Sequence, residues 1–356
     1  LQEDDTQRNE TIDGFKQEYD KLREGHLNRQ KAKSYRSLAD ARENKFKIDW
    51  DKGVAPAPIK AGITVFEDYD LAEIREMIDW TPFFYTWELK GRYPKIFEDE
   101  KKGPEAKKLF ADANEMLDKI IAEKWLQAKA IIGLFPANSI NEDDIEVYDE
   151  SRSEVIANFY NLRQQADKNA PNISLTDFLA PKETGLEDHM GGFAVTAGLG
   201  IEKKLAEFEA DHDDYKSIML KALADRLAEA FAELMHRRVR KEFWGYDTQE
   251  NFSNEELIRE AYSGIRPAPG YPANPDHTEK LTLWDLLDVE EHTGITLTEN
   301  LAMYPTASVS GLYLSHPESR YFGIGKLTKE QVEDYAKRKG MSVEKMERWL
   351  GANLAY

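Results

Sequence analysis

Apolar residues recur at Tyr215, Ile218, Met219, Ala222, Leu223, Leu227, Ala230, Phe231, Leu234 and Met235. Steps of three and four put them on one broad face, which predicts a helix from Tyr215 to about Lys241. A second stripe of the same period runs through Leu109, Phe110, Ala113, Met116, Leu117, Ile120 and Ile121. It follows Pro104, a residue suited to a first helical turn. Ala128–Phe135 is largely apolar, with the β-branched pair Ile131 and Ile132, the pattern of a buried strand. Gly62–Phe66 and Gly191–Gly198 predict further strands. Ile145 and Val147, alternating with acids, predict a half-exposed one. Val309–Leu314 and Arg320–Ile324 predict a hairpin around His316-Pro317.

Polar residues mark where helices begin. Asp70 with Glu73, Ser253 with Glu256 and Thr328 with Gln331 have capping-box spacing. The helices they open are expected to run toward Trp80, to about Tyr262 and to just before Gly340. A last helix reaches Leu350. Another helix is expected over roughly Thr278–His292, stopped by Gly294. Four prolines within residues 267–275 forbid regular structure there.

Strands and helices are interspersed without βαβ spacing, which argues for an α+β architecture. No linker divides residues 46–356, so one large domain is expected there. Residues 1–45 differ. Their sparse stripe, Ile12, Phe15, Tyr19 and Leu22, predicts an amphipathic helix that continues into the basic run Arg29–Lys33. A tether or linker helix and a first helix packed on the core both fit this segment.

Composition narrows the function classes. The 356 residues carry 48 Lys and Arg against 67 Asp and Glu, a net charge of −19. That charge repels nucleic acid and anionic membranes, so neither is an expected partner. Zero cysteines exclude disulfides, thiolate zinc sites, iron–sulfur clusters and a cysteine nucleophile. No stretch approaches the roughly 20 apolar residues of a membrane span. The acidic start LQEDDTQRNE is not a secretory signal. A cytoplasmic protein is expected, and a chain beginning with Leu rather than Met reads as a fragment or processed product.

The usual catalytic motifs are missing: there is no P-loop, no GxGxxG and no HExxH, so no metal ligands are assigned. The acids Glu209, Asp211, Asp213 and Asp214 fit the favourable negative start of the long helix better than a cation site. Three features carry more chemistry. The loop Arg266-Pro-Ala-Pro-Gly-Tyr271-Pro is stiffened by proline, and its Arg can hold a carboxylate on two hydrogen bonds. A structural crossover loop fits it equally. Arg226 lies in or beside the apolar stripe with Glu229 three residues on, either a salt bridge or a ligand contact. Asp79 sits among aromatics in Ile78–Phe84, ahead of the basic loop Lys90, Arg92 and Lys95. That acid could receive a cation and that loop an acidic partner; aromatic core and solvated loop also fit.

Taken together, IDWTPFFYTWELKGRYPKIFEDE, GLFPAN, LRQQADK, the long helix through MHRRVRKEFWGY, GIRPAPGYPANPDHTEK, SVSGLYLSHPESRYFGIGKL and QVEDYAKRKGMSVEKMERWL resemble one family. It is the S-adenosylmethionine-binding activation domain at the C-terminus of cobalamin-dependent methionine synthase. The likeness spans roughly residues 46–356, and RPAPGYP followed by PDHTEK is its most specific part. Residues near 1–35 resemble the connector from the cobalamin-binding module. Two departures stand out: Asn274 replaces a Cys of some relatives, and the chain stops slightly short of the family terminus.

The resemblance implies a C-shaped domain with a central twisted antiparallel sheet flanked by helices. It implies that S-adenosylmethionine binds in a shallow groove and methylates cob(II)alamin, with an electron from flavodoxin or a flavoprotein reductase, to regenerate methylcobalamin. Cobalamin would be held by the neighbouring module, and zinc by a module outside this chain. Position by position, Asp79, Arg266, Tyr321 and Phe322 match ligand contacts of the family, and Glu229 and Glu260 match acids at the groove. Arg266 would take the ligand's carboxylate, Asp79 its ammonium or another polar hydrogen. The stiff loop, with Ala268 and Tyr271, and the expected hairpin would serve adenine and ribose. No general acid, base or nucleophile is required of the domain, and the chain alone is expected to lack methionine synthase turnover. Two other readings stand beside this one. The chain could be chiefly a docking module for a flavoprotein, through Lys90, Arg92 and Lys95 or the basic end of the long helix, His236–Lys241. A free-standing methyltransferase is disfavoured by the missing glycine loop.

Overall fold

A computed structural model describes residues 34–356 together with residues 12, 14–16 and 19. Two compact units emerge from the packing. The larger comprises Lys47–Asn161 and Leu175–Gly323; the smaller takes the described residues up to Phe46, Leu162–Ser174 and Ile324–Tyr356.

The larger unit begins with β1 (Gly62–Tyr69), α1 (Leu71–Arg75), α2 (Thr81–Thr86) and α3 (Gly103–Ala122). Next come β2 (Gln127–Ile140), β3 (Asp144–Tyr148), β4 (Val155–Tyr160) and β5 (His189–Leu199). Then follow α4 (Ile201–Ala210), α5 (Asp214–Arg238), α6 (Asn254–Ile258), α7 (Glu279–Leu287) and α8 (Val289–Thr293). The short pair β6 (Thr296–Leu297) and β7 (Met303–Tyr304) precedes β8 (Ser308–Tyr313).

The long strand β2 organises the central sheet. It pairs antiparallel with β1, with β5 and, near its end, with β3; β4 and β8 extend the order to β4-β3-β2-β5-β8. Side chains alternate across such a ladder. Ala128, Ala130, Ile132 and Leu134 of β2 and Phe193, Val195 and Ala197 of β5 therefore enter one core, shared with α5. Leu223, Leu227, Phe231 and Leu234 meet them from the helix, each fully buried. Burial of such a side chain contributes about 1.5–3 kcal/mol. The opposite face receives α7. There a Cβ on Gly192 would stand 2.6 Å from Leu283 Cδ1, so a side chain at this position would force that leucine to shift. Helices thus flank a central antiparallel sheet, the α+β architecture that the interspersed pattern predicts and the sheet that the resemblance implies.

The smaller unit is built on capped helices. Ser37, Thr328 and Ser342 each accept a backbone N–H at the start of Leu38–Glu43, Lys329–Lys339 and Val343–Trp349. The buried amide of Gln331 accepts the Arg163 N–H at 2.7 Å and donates to the Arg163 carbonyl at 2.9 Å. Arg42 pairs with Asp334 at 3.0 Å. Of the N-terminal stripe, Ile12, Phe15 and Tyr19 are helical and exposed, while Leu22 and the run Arg29–Lys33 lie outside the described residues.

Several expectations are corrected. Residues 320–324 form no strand, so the expected hairpin does not form; the chain turns at His316–Glu318, where His316 Nδ1 accepts the Glu318 N–H. The helix opened by Asp70 stops at Arg75, and the one opened by Ser253 stops at Ile258. The helix expected over Thr278–His292 is two, divided at Asp288, whose φ of +50° cannot continue a right-handed helix. The strand through Ile145 and Val147 is buried rather than half-exposed. On α5, Tyr215 and Ile218 are exposed, because the first turn overhangs the core; Tyr215 donates to Asp112 at 2.8 Å instead. Beyond Arg238 the helix loosens into one π-turn, Val239–Phe243.

Candidate functional site

A cleft of about 240 Å³ opens where the α1–α2 junction, α5, α6 and the segment after α6 converge. Asp79 enters it from the junction. One of its oxygens accepts the Thr81 N–H at 2.9 Å, fixing the carboxylate at the start of α2. Arg226, Glu229 and Glu233 enter from α5, Asn254 and Leu257 from α6, and Glu260 and Tyr262 from the turn beyond it. Arg266 completes the wall.

Local backbone pairing explains how Arg266 is aimed. Ile265 exchanges hydrogen bonds with Leu314 at 2.9 and 3.0 Å, and the Pro267 carbonyl accepts the Leu312 N–H at 2.8 Å. The residues on either side are thus fastened to the edge of β8. Alternation turns the intervening Arg266 N–H away from that edge, where the Tyr321 hydroxyl accepts it at 3.0 Å. The proline loop then closes on itself: Gly270 donates to the Asn274 carbonyl at 2.7 Å and Tyr271 to that of Ala268 at 3.2 Å. Gly270 has φ +92°, and a Cβ there would stand 2.3 Å from the His277 ring. The PDHTEK segment is therefore the floor on which RPAPGYP lies.

Electrostatics bind the inner wall together. Arg266 Nη2 pairs with Glu233 Oε2 at 2.8 Å, and Glu233 Oε1 lies 3.8 Å from Arg240 Nη2. Arg240 is fully buried, hydrogen-bonded through Nε and Nη2 to Glu250, and stands 4.1 Å above the Tyr262 ring. Burial works against the charge of Arg266, but Glu233, with smaller help from Tyr262, Tyr321 and Glu229, outweighs it and raises its pKa. Burial lifts Glu260 above the usual carboxylate range, and Glu233 adds to this while Arg266 opposes it. Behind the wall His236 stacks on Tyr313 at 5.2 Å, and burial, then Arg240 and Arg266, push its pKa well below normal.

Among the described residues, three polar atoms at this cleft are buried without a hydrogen-bond partner: Arg266 Nε, Glu233 Oε1 and Asn254 Oδ1. Stranded donors and acceptors are costly, and their convergence marks a place built for a polar ligand. Four carboxylates face two guanidiniums, so the cleft favours cations overall.

The structure brings Asp79, Glu229, Glu260 and Arg266 together, with Tyr321 on the Arg266 backbone. Arg226 and Glu229, left open between salt bridge and ligand contact, both line the cleft. Ala268 and the exposed Tyr271 lie on the adjoining loop. Phe322 does not line the cleft; it packs edge-on against Phe178, 6.3 Å between ring centres. Lys90, Arg92 and Lys95 are exposed on the loop after α2. Sequence reasoning missed Glu233, Asn254 and Tyr262. Glu233 had a signal, one turn beyond Glu229 on the same line of α5; Asn254 had none.

These features define an α+β domain carrying one acid-rich, arginine-walled cleft. Residues 70–340 match the model of the activation domain of vitamin B12-dependent methionine synthase. The chain belongs to this family. Among solved structures it is similar to a crystal structure of the MetH reactivation domain bound to AdoHcy, at 56% identity and a TM-score of 0.88. That likeness covers 90% of this chain and 99% of the other.

Proposed function

We propose that the cleft binds S-adenosylmethionine and that the domain serves the reductive methylation of cob(II)alamin to methylcobalamin, reactivating methionine synthase. The observation that carries this reading is the 56% identical reactivation domain bound to AdoHcy, together with the three stranded polar atoms at this cleft. AdoHcy is what remains of S-adenosylmethionine once its methyl group has left. An α-amino acid end offers a carboxylate to Arg266 and an ammonium to the acids. The sulfonium adds a positive charge that Asp79, Glu229 and Glu260 complement. Tyr321 and the loop through Ala268 and Tyr271 supply surfaces and backbone groups for adenine and ribose, while Phe322, packed on Phe178, lies outside the cleft.

The chain's own part is positioning. The methyl group passes as a cation equivalent from sulfur to cobalt, one external electron reduces the cob(II)alamin, and S-adenosylhomocysteine departs. No proton moves, so no acid or base is asked of the cleft. Cobalamin, held by the neighbouring module, is the substrate of this step. The electron donor is a flavodoxin or flavoprotein reductase. The exposed cations Lys90, Arg92 and Lys95 support docking of such an acidic protein on a chain of net charge −19. Charge reversal by Arg92→Glu should slow that docking and leave S-adenosylmethionine binding unchanged.

The test is methyl transfer from labelled S-adenosylmethionine to a cobalamin module in cob(II)alamin form. Label should reach cobalamin only when this domain and a one-electron reductant are both present. Label appearing without the domain, or never appearing, overturns the reading.

A further inference from the structure

The acids expected from sequence leave out the one carboxylate that touches Arg266. Glu233 is buried, and its two oxygens have different fates. Oε2 is spent on Arg266 at 2.8 Å; among the described residues Oε1 receives no hydrogen bond, and Arg240 Nη2 lies 3.8 Å from it. Arg240 is itself committed to Glu250, so it steadies Glu233 without satisfying it. Across the same cleft Asn254 Oδ1 also lacks a donor, while Arg266 Nε lacks an acceptor. The cleft lining therefore holds two unmet acceptors and one unmet donor, the complement of a group that bears an ammonium and a carboxylate on one carbon.

We infer that Glu233 is a ligand-binding residue: its Oε1, with Asn254 Oδ1, accepts the α-ammonium of the bound ligand, while Arg266 Nε donates to the α-carboxylate. Rather than being a purely structural counter-ion of Arg266, Glu233 reads the amino-acid end of the ligand. Its other oxygen holds the guanidinium flat against the cleft wall, so one carboxylate orients the partner for each half of the zwitterion. This inference rests on the proposed binding of S-adenosyl compounds.

The experiment compares S-adenosylhomocysteine with its desamino analogue, which keeps the carboxylate and the nucleoside. Calorimetric titration of the parent, Glu233→Gln and Asn254→Ala gives the affinities, with thermal unfolding reporting integrity. The parent should bind S-adenosylhomocysteine at least about tenfold more tightly than the analogue, the discrimination one charged hydrogen bond supplies. Glu233→Gln should weaken S-adenosylhomocysteine about tenfold and barely change the analogue, and Asn254→Ala should do the same to a smaller degree. If Glu233→Gln weakens both ligands equally, Glu233 acts only by holding Arg266 and the inference fails. Equal affinity of the parent for both ligands also overturns it, and that result needs no folded variant. A parent that binds neither compound defeats the underlying reading instead, a distinct outcome.

Discussion

Arg266 and Glu233, 33 residues apart in the chain, meet at 2.8 Å in the wall of the cleft. The contact joins the proline loop to the long helix that carries the core. It also means that the residue most visible in sequence, Arg266, depends on one that is hidden inside an apolar stripe. Behind it, Arg240 and Glu250 extend the pair into a buried charge network.

That network should be costly to break. Removing one member of a buried pair strands the other, at about 3–5 kcal/mol. Glu250→Ala should lower the unfolding free energy by that amount in urea titration. Replacing both Arg240 and Glu250 by apolar residues of similar size should cost less than Glu250→Ala alone.

Gly270 should tolerate alanine worse than Gly185, another glycine of positive φ. At Gly185, φ is +72° and a Cβ would meet nothing within 4 Å, so Gly185→Ala carries only the backbone cost of about 1–2 kcal/mol. At Gly270 the added methyl also strikes His277. Gly270→Ala should therefore lose more stability than Gly185→Ala and, unlike it, weaken S-adenosylhomocysteine. Melting temperatures and calorimetry on the two variants check both parts.

Two neighbours at the start of β5 should give stability opposing pH slopes. Burial, with a smaller effect from Arg152, drops His189 from its ordinary 6.5 to about 4. Its neutral form thus stabilises the fold above about pH 6.5, and that contribution is lost as pH falls toward 4. Burial raises Asp188 to about 6, against two backbone hydrogen bonds and Arg152. Its contribution is present at acid pH and lost as pH rises toward 6. His189→Gln removes only the first slope. Relative to the parent, the variant should gain about 2–3 kcal/mol between pH 7 and pH 4, read from urea midpoints.

What the sequence made legible follows from what each element depends on. The strands through Ile131 and Ala194 and the helix through Leu227 are written in local apolar period, so they were readable. The segment 320–324 has a strand's composition yet forms no strand, and pairing is a tertiary fact. The break at Asp288 was hidden for a similar reason: one residue of positive φ interrupts an otherwise helical pattern. In the site, Arg266 and Asp79 stood out because charge interrupts proline and aromatic surroundings. Glu233 did not, since one acid on a helix reads as solvated until the fold buries it. Asn254 reads as an ordinary first-turn residue after a capping serine.

The account rests on Arg266 binding the carboxylate of an S-adenosyl ligand in this cleft, and calorimetric titration of the parent and Arg266→Ala with S-adenosylmethionine tests it most directly. The parent should show saturable, single-site binding, weakened by about 2–5 kcal/mol in the variant, because a charged hydrogen-bonded partner is lost from a largely buried wall. No saturable heat with the parent, or equal affinity in the two proteins, would contradict it.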